Sequence, residues 1–283
     1  MHVALLEAED ARGREPRVHA GHDCDSLGGA HGRVTLRIVL DSLPDDAALD
    51  TAVSRALLER VASGELPETL RLARPGPIVA FGKLDVVGPG YREAVRAARE
   101  GGFEAIERLA GGRAAVFHDG TLAFSHAIPD PDPRPGVRPR FDQIADRVAL
   151  ALRSLGVDAR VGEVPGEYCP GSHSVSAGGR AKLMGVGQRL ISGGAHVGGV
   201  LVVEGADRVR DILLPVYGAM GLDWRPEVTG AVADEVPGVT LGDVIAALRE
   251  AFGREYELEE TELDEETLEL ARRLAPEHLS PRD

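Results

Sequence analysis

The chain has 283 residues, of which 43% are hydrophobic and 28% are charged, as expected of a globular protein with one large core or two modest ones. Its net charge of −14 disfavours nucleic acid as a partner, because the phosphate backbone is also negative. No apolar run approaches the roughly 18 residues of a membrane-spanning helix, and the run at 3–6 is too short for a signal peptide, so we expect a cytoplasmic protein without membrane contact.

The first 33 residues mix glycine, histidine, aspartate and arginine without periodicity, which favours an irregular leader over 1–33. Three histidines lie near Cys24 in this segment, but their spacing matches no standard zinc pattern, so we expect no metal site. The chain's other cysteine is Cys169, and a single pair does not indicate a disulfide framework.

Apolar periodicity predicts both strands and helices in the rest of the chain. The predicted strands lie at 34–40, 70–74, 78–81, 103–109, 114–117, 121–128, 157–161, 181–191 and 195–203, the last two as a hairpin. The predicted helices lie at 45–63, 91–101, 141–155, 208–217, 241–252 and 268–275. A proline-rich loop is expected over 130–139, and the acidic stretch 255–266 is expected to be a solvated face.

This alternation predicts an α+β fold, built on a mixed, largely antiparallel sheet with helices packed against it. We place the main domain at 34–234 and a short, helical C-terminal extension at 235–283.

Lysine is rare in this chain, with only Lys83 and Lys182 among 32 basic residues. Arginine therefore supplies most of the positive charge, and Lys182 lies in an unusual, glycine-rich segment. A lysine ammonium is a compact point charge, whereas arginine presents a planar fork, so a lysine kept here indicates a directional ammonium. The alternative is a solvated lysine beside a turn.

Cys169 precedes a Pro-Gly pair in a polar loop, where a thiol is more exposed than in a core. A lone cysteine is often an inert small hydrophobe. Together with Lys182, however, it offers a nucleophile and a cation that favours the thiolate and can hold an acyl carbonyl oxygen. A general base is not evident, because the sequence cannot place His118, His173 or His196 near the thiol.

Paired glycines, Gly111 and Gly112, lie between Arg108 and Arg113. Such a pair lets backbone amides approach a ligand closely, although it is more often only a turn.

From 34 to 203 the chain resembles the lipoate/biotin protein ligase superfamily. The Arg-Leu-Ala-Gly-Gly-Arg-Ala segment at 108–114 looks like that superfamily's Arg-x-Ser-Gly-Gly-x-Ala motif. The Cys-Pro-Gly-Ser loop at 169–172, followed by Lys-x-x-Gly-x-x-Gln-Arg at 182–189, looks like the branch of octanoyl-[glycine cleavage system H protein] N-octanoyltransferases.

The resemblance implies specific roles for residues of this chain. Cys169 would form a thioester with the acyl group, and Lys182 would contact the acyl carbonyl. Substrate binding is expected from Arg108, Gly111, Gly112, Arg113, His118, Gly185 and Gln188.

The function that this implies is transfer of an octanoyl or lipoyl group to a specific lysine of a lipoyl-domain carrier, without a cofactor. The expected carriers are the glycine cleavage H protein and the E2 subunits of 2-oxoacid dehydrogenases. One alternative is an ATP-dependent lipoate ligase, which would bind ATP and Mg²⁺, form lipoyl-adenylate and use Lys182 but not Cys169. Another is a non-catalytic binder of lipoyl domains or acyl chains.

Three departures from the family pattern leave the choice between transferase and ligase open. Arg180 stands where a glycine is usual, Ala123 stands where an asparagine is common, and the Val-Phe-His-Asp run at 116–119 looks like that of ATP-dependent ligases. The Cys-Pro-Gly loop around Cys169 favours the transferase.

Overall fold

A computed structural model describes residues 33–281. The leader predicted over 1–33 lies outside the described residues except for Arg33, as do Cys24 and the histidines near it. None of the helices in 33–281 is long and apolar enough to cross a membrane.

Two sheets form the frame of the described residues. The strands are β1 (Thr35–Val39), β2 (Thr69–Ala73), β3 (Ile78–Phe81), β4 (Glu104–Glu107), β5 (Ala115–Phe117), β6 (Thr121–Pro129), β7 (Ala159–Val161), β8 (Val175–Ala177), β9 (Ala181–Ile191), β10 (Gly194–Val202) and β11 (Glu257–Thr261). The larger sheet has eight strands in the order β11-β1-β2-β6-β10-β9-β8-β7, and the smaller has three in the order β4-β3-β5. Parallel pairing joins β1 to β2, β1 to β11 and β3 to β4, while the other pairs are antiparallel.

Helices cover both faces of the larger sheet. They are α1 (Ala47–Ala62), α2 (Lys83–Val86), α3 (Tyr91–Glu100), α4 (Val137–Ser154), α5 (Ala206–Ala219), α6 (Val232–Glu235), α7 (Leu241–Gly253) and α8 (Glu265–Leu274). On β6, Phe124 belongs to the core with α4 and α7, whereas Ala127 belongs to the core with α1 and α8. This follows from the alternation of side chains along a strand. The predicted mixed, largely antiparallel α+β fold is confirmed.

The predicted hairpin at 181–203 is present as β9 and β10, with Ile191 opposite Gly194. The turn between them contains Gly193, whose φ of +83° is in the region that favours glycine. This hairpin lies next to β6 in the middle of the larger sheet.

The start of α4 differs from the prediction. The helix begins at Val137, so residues 137–139 form its first turn and not the end of a proline-rich loop. Pro139 fits there because the first turn of a helix has backbone N–H groups without an intrahelical partner, so a missing N–H costs little.

The acidic stretch 255–266 also contains more structure than predicted. Residues 257–261 form β11, which pairs in parallel with β1 from Thr35–Glu257 to Val39–Thr261. The strand lies at the edge of the sheet and most of its side chains are partly or fully exposed, so no apolar alternation marks it in the sequence. The segment 235–283 therefore contributes a strand to the main sheet as well as helices.

Candidate active site

The loop that carries Cys169 runs from residue 162 to residue 174, between β7 and β8, and is called the cysteine loop below. Cys169 has a φ of +42° and is the one non-glycine residue of 33–281 with a positive φ. Its N–H donates to the hydroxyl of Tyr217 at 3.0 Å, and that hydroxyl donates to the carbonyl oxygen of Ala114 at 3.0 Å. Burial raises the pKa of Tyr217 well above its ordinary value, so the hydroxyl keeps its proton. These bonds hold a backbone conformation that costs on the order of 1–3 kcal/mol.

The sulfur of Cys169 faces the glycine pair predicted to bind substrate. Sγ accepts the N–H of Arg113 at 3.3 Å and lies 3.5 Å from Nη2 of Arg108. A Cβ atom on Gly112 would lie 2.1 Å from that Nη2 and 2.9 Å from Sγ, and the φ of Gly112 is +104°. Only glycine fits there. The structure thus brings Arg108, Gly112 and Arg113 together around the thiol.

Lys182 approaches the cysteine loop from beneath, on β9, and is only 1% exposed. Its Nζ donates to Oε1 of Glu167 at 2.9 Å and to the carbonyl oxygens of Tyr168 and Cys169 at 2.9 and 2.8 Å. An ammonium has three protons, so all of them are used. Lys182 is therefore not a solvated lysine, and its expected contact with an acyl carbonyl stays a prediction.

Gly185 makes room for this lysine. A Cβ atom on Gly185 would lie 3.3 Å from Cε and 3.5 Å from Nζ of Lys182. On the other side, Nζ lies 4.8 Å from the centre of the Tyr168 ring. In this structure the predicted substrate-binding residue Gly185 thus contacts the lysine that holds the loop.

Glu167 was not predicted from the sequence, yet it organises the cysteine loop. Its Oε1 accepts from Lys182, from the N–H of Gly171 at 3.0 Å and from Oγ of Ser174 at 2.6 Å. Its Oε2 accepts the N–H of Val164 at 3.0 Å. The only sequence signal was an acid two residues before the cysteine, in a segment shared with one of the two lysines.

An apolar cavity lies between α1, the larger sheet and the smaller sheet. Its apolar wall includes Ile78, Ala80, Ile106, Phe117 and Phe124. Residues 108–110 line this cavity, and residues 111 and 112 line the open cavity in front of Cys169. Residues 108–112, called the glycine segment below, therefore border both the apolar cavity and the cavity of the thiol.

One side of the apolar cavity is polar. Arg71 and Asp50 form a buried ion pair there, and Nδ1 of His196 is 3.1 Å from Oγ of Ser125. Burial lowers the pKa of His196 to about 4, so the ring is neutral at pH 7.

The cavity in front of Cys169 also contains Gln188 and His173. Gln188 joins β9 to α4, because its Nε2 donates to the carbonyl oxygen of Val137 at 2.7 Å and its Oε1 accepts from Arg140 at 3.2 Å. Nε2 of His173 is 2.9 Å from Oδ1 of Asp142. Of the histidines considered as a base, His173 is the one in this cavity.

His118 does not reach the thiol's surroundings. It is fully buried in the turn between β5 and β6, where its Nδ1 accepts the N–H of Gly120 at 3.0 Å and its ring lies against Gly205. It lines neither of the two cavities described above. Burial lowers its pKa, so it is neutral at pH 7.

Known proteins resemble this chain in sequence over most of its length. The family model of the lipoyl protein ligase A/B catalytic domain matches residues 46–253. A Geobacillus kaustophilus protein named octanoyl-[GcvH]:protein N-octanoyltransferase is 30% identical over 215 residues, 76% of this chain and 74% of the relative. A Bacillus velezensis protein of the same name is 28% identical over 242 residues, 84% and 82% of the two chains.

The fold is also that of solved structures. A crystal structure of lipoate-protein ligase A bound with ATP superimposes with a TM-score of 0.71 at 22% identity, over 86% of this chain and 95% of the other. At that identity the similarity concerns the fold alone, whereas the family model covers most of the chain. The chain therefore belongs to the lipoyl protein ligase A/B catalytic domain family.

Proposed function

We propose that this protein transfers an octanoyl group, through a thioester on Cys169, to a specific lysine of a lipoyl-domain protein. The names of the two relatives support the reaction class. By analogy with those names, the donor is an octanoylated glycine cleavage H protein. We further propose E2 subunits of 2-oxoacid dehydrogenases as the acceptors. The observation that carries the proposal is the thiol itself, which faces an open cavity while the guanidinium of Arg108 and the N–H of Arg113 lie beside it.

The chemistry follows from these contacts. Sγ attacks the carbonyl carbon of the octanoyl group, the bond to the donor nitrogen breaks, and a thioester remains on Cys169. The amine of the acceptor lysine then attacks the thioester and forms the new amide. Arg108 and Arg113 stabilise the sulfur whenever it carries negative charge.

The apolar cavity next to the glycine segment suits the hydrocarbon chain of the acyl group. Transfer of one methylene group from water to an apolar site contributes about 0.8 kcal/mol, so the tail of an octanoyl group contributes about 5 kcal/mol. Because residues 108–110 line this cavity and residues 111 and 112 line the cavity of the thiol, a chain bound in the first can present its carbonyl to Cys169. A lipoyl group is the same carbon chain with its far end closed into a ring by two sulfur atoms, and it is a second acyl group that we expect the site to accept.

Neither a nucleotide nor a metal ion is required in this scheme, because a thioester keeps the acyl group activated. An ATP-dependent ligase would instead activate a free acid and would not depend on Cys169. We also infer that the reaction takes place in the cytoplasm, because the scheme requires a reduced thiol.

Intact-protein mass spectrometry tests the proposal. The protein is incubated with an octanoylated H protein and no ATP, and we expect one octanoyl adduct that disappears when a lipoyl domain is added. Cys169→Ala should show neither adduct nor transfer with an unchanged circular dichroism spectrum, while Cys24→Ala should behave as wild type. A requirement for ATP with full activity in Cys169→Ala would instead support the ligase, and binding without transfer would support a non-catalytic binder.

A further inference from the structure

We propose that His173, oriented by Asp142, is the catalytic group that moves the proton of the attacking and leaving amines. The inference rests on the proposed function, because it assigns the general base and acid of that reaction. Amine attack on a thioester moves one proton from nitrogen to sulfur, and no residue described so far carries it.

Hydrogen bonds fix the tautomer of His173. Its Nε2 is 2.9 Å from Oδ1 of Asp142, and a carboxylate only accepts hydrogen bonds, so Nε2 carries the proton. Nδ1 is then the basic nitrogen, and it accepts the hydroxyl of Ser172 at 3.1 Å. The ring also stacks on Phe141, with centroids 5.0 Å apart and planes at 14°. Three neighbours thus hold one orientation of the imidazole.

The loop places this imidazole on the same side as the thiol. His173 follows Cys169 by four residues, and a turn closed by the hydrogen bond from Ser174 N to Gly171 O at 3.0 Å lies between them. The carboxylate of Glu167 holds both ends of that turn. Cys169, Ser172, His173 and Asp142 all line the open cavity in front of the thiol.

The other charged groups of this cavity are few. Arg138 on α4 has its Nε 3.8 Å from Oδ2 of Asp142, and its side chain is 86% exposed. From β9, the cavity receives the neutral side chain of Gln188. An acceptor lysine that enters this cavity shares it with Cys169 and with His173, which is the one histidine among the residues that line it.

The proton transfers of the two half-reactions need no reactant other than the enzyme, the donor and the acceptor. The acceptor nitrogen forms a bond to the thioester carbonyl carbon while Nδ1 of His173 takes one of its protons, directly or through the hydroxyl of Ser172. The C–S bond then breaks and its electron pair stays on Sγ of Cys169, which receives the proton from the imidazolium. In the first half-reaction Nδ1 of His173 takes the proton of the Cys169 thiol and passes it to the nitrogen that leaves an amide donor.

A partly exposed Asp–His pair can also be a surface ion pair that does nothing else. A catalytic His173 would affect only the steps in which an amine gains or loses a proton, whereas a surface ion pair would not distinguish these steps from others. The test therefore measures the two half-reactions separately. Cys169 is first loaded from octanoyl-coenzyme A, whose sulfur leaves as a thiolate and therefore needs no proton from His173. The loaded enzyme is then mixed with a lipoyl domain, and the adduct is followed by intact mass.

For His173→Gln we expect loading from octanoyl-coenzyme A within about twofold of wild type, and transfer to the lipoyl domain slower by on the order of 10²-fold. Loading from an octanoylated H protein should fall by a similar factor, because the leaving amine then needs a proton. Hydroxylamine, an amine that is uncharged at neutral pH, should release the adduct at the wild-type rate.

Asp142→Asn should reproduce this pattern with a smaller loss, because it removes the orienting carboxylate but not the base. Asp146→Asn, an exposed acid one turn further along α4, is the matched control and should leave both half-reactions unchanged. Transfer at the wild-type rate by His173→Gln would overturn this inference. An equal loss of rate in both loading reactions and in the release by hydroxylamine would also overturn it, and neither outcome would contradict the proposed function. A wild-type protein that is never loaded on Cys169 would overturn the proposed function together with it.

Discussion

Nζ of Lys182 donates to the carbonyl oxygen of Cys169 at 2.8 Å, so a buried cation lies directly beneath the peptide group of the proposed nucleophile. The same ammonium is paired with Glu167, and Glu167 in turn holds the far end of the cysteine loop through Gly171 and Ser174. The position of the Cys169 thiol therefore depends on the buried ion pair of Lys182 and Glu167. A substitution that disturbs the buried pair should change both the stability of the protein and its activity.

Lys182→Arg should be both less active and less stable than wild type. The space at Nζ is closed by Gly185 and by the ring of Tyr168, so a larger, planar guanidinium overpacks it, which costs about 1–3 kcal/mol. We expect transfer to slow on the order of 10²–10³-fold because the loop shifts or the acyl carbonyl loses its donor. Lys83→Arg, at an exposed position, is the control.

Steady-state transfer and urea denaturation of these two variants separate the roles of Lys182. A slow enzyme with unchanged stability would indicate that Lys182 acts only on the acyl carbonyl. Near-wild-type turnover would contradict any role of Lys182 in the reaction.

Glu167→Gln should destabilise the protein by about 3–5 kcal/mol, because it leaves the ammonium of Lys182 buried without its counter-charge. Such a loss is a large part of the total stability of a typical domain. Equilibrium unfolding in urea measures it. Glu163→Gln, on the exposed side of the same loop, is the matched control. Equal unfolding free energies for the two variants would show that the buried pair does not hold the loop.

Gly112→Ala should lose most of its transfer activity. The added Cβ would meet Nη2 of Arg108 and Sγ of Cys169, and the backbone at φ +104° is strained for alanine. The adjacent Gly111 has no atom within 4 Å of such a Cβ, so Gly111→Ala should lose much less. The ratio of the two rates of adduct formation is the measurement, and a ratio near one would contradict the packing of the glycine segment against the thiol.

Stability should fall as the pH drops from about 6.5 towards 4. The pKa of His196 is lowered by burial to about 4, so over this range the unfolded chain binds a proton that the folded protein does not. The full shift corresponds to about 3 kcal/mol, present above the unfolded pKa and lost as the pH falls towards the folded one. His118 and His278, whose pKa values are also lowered by burial, act in the same direction.

Urea denaturation at several pH values checks this pH dependence. His196→Gln, which carries no proton-binding ring, should show a shallower decline between pH 6.5 and 4 than wild type. Parallel curves for the two proteins would show that His196 is not buried in its neutral form.

Short sequence patterns predict several of the residues that the structure brings together at the candidate site. The cysteine, the glycine pair and the arginines beside it each belong to a short run with a recognisable pattern. The sequence does not predict the role of Glu167, because that role depends on the direction in which the cysteine loop folds. It does not predict the pairing of His173 with Asp142 either, because the two residues come from the cysteine loop and from α4. A local sequence pattern predicts His118 among the substrate-binding residues, but in the structure its ring is buried in the core.

The pairing of β11 with β1 ties the folding of the larger sheet to the synthesis of residues 257–261. Translation delivers Thr35–Val39 among the earliest described residues, yet one row of its backbone N–H and C=O groups finds its partners only when Glu257–Thr261 has left the ribosome. Until then β1 is an open edge that can pair with a neighbouring nascent chain. A product that stops before residue 257 would therefore be an aggregation-prone fragment and not a smaller enzyme, even though Cys169, Lys182 and His173 would all be present.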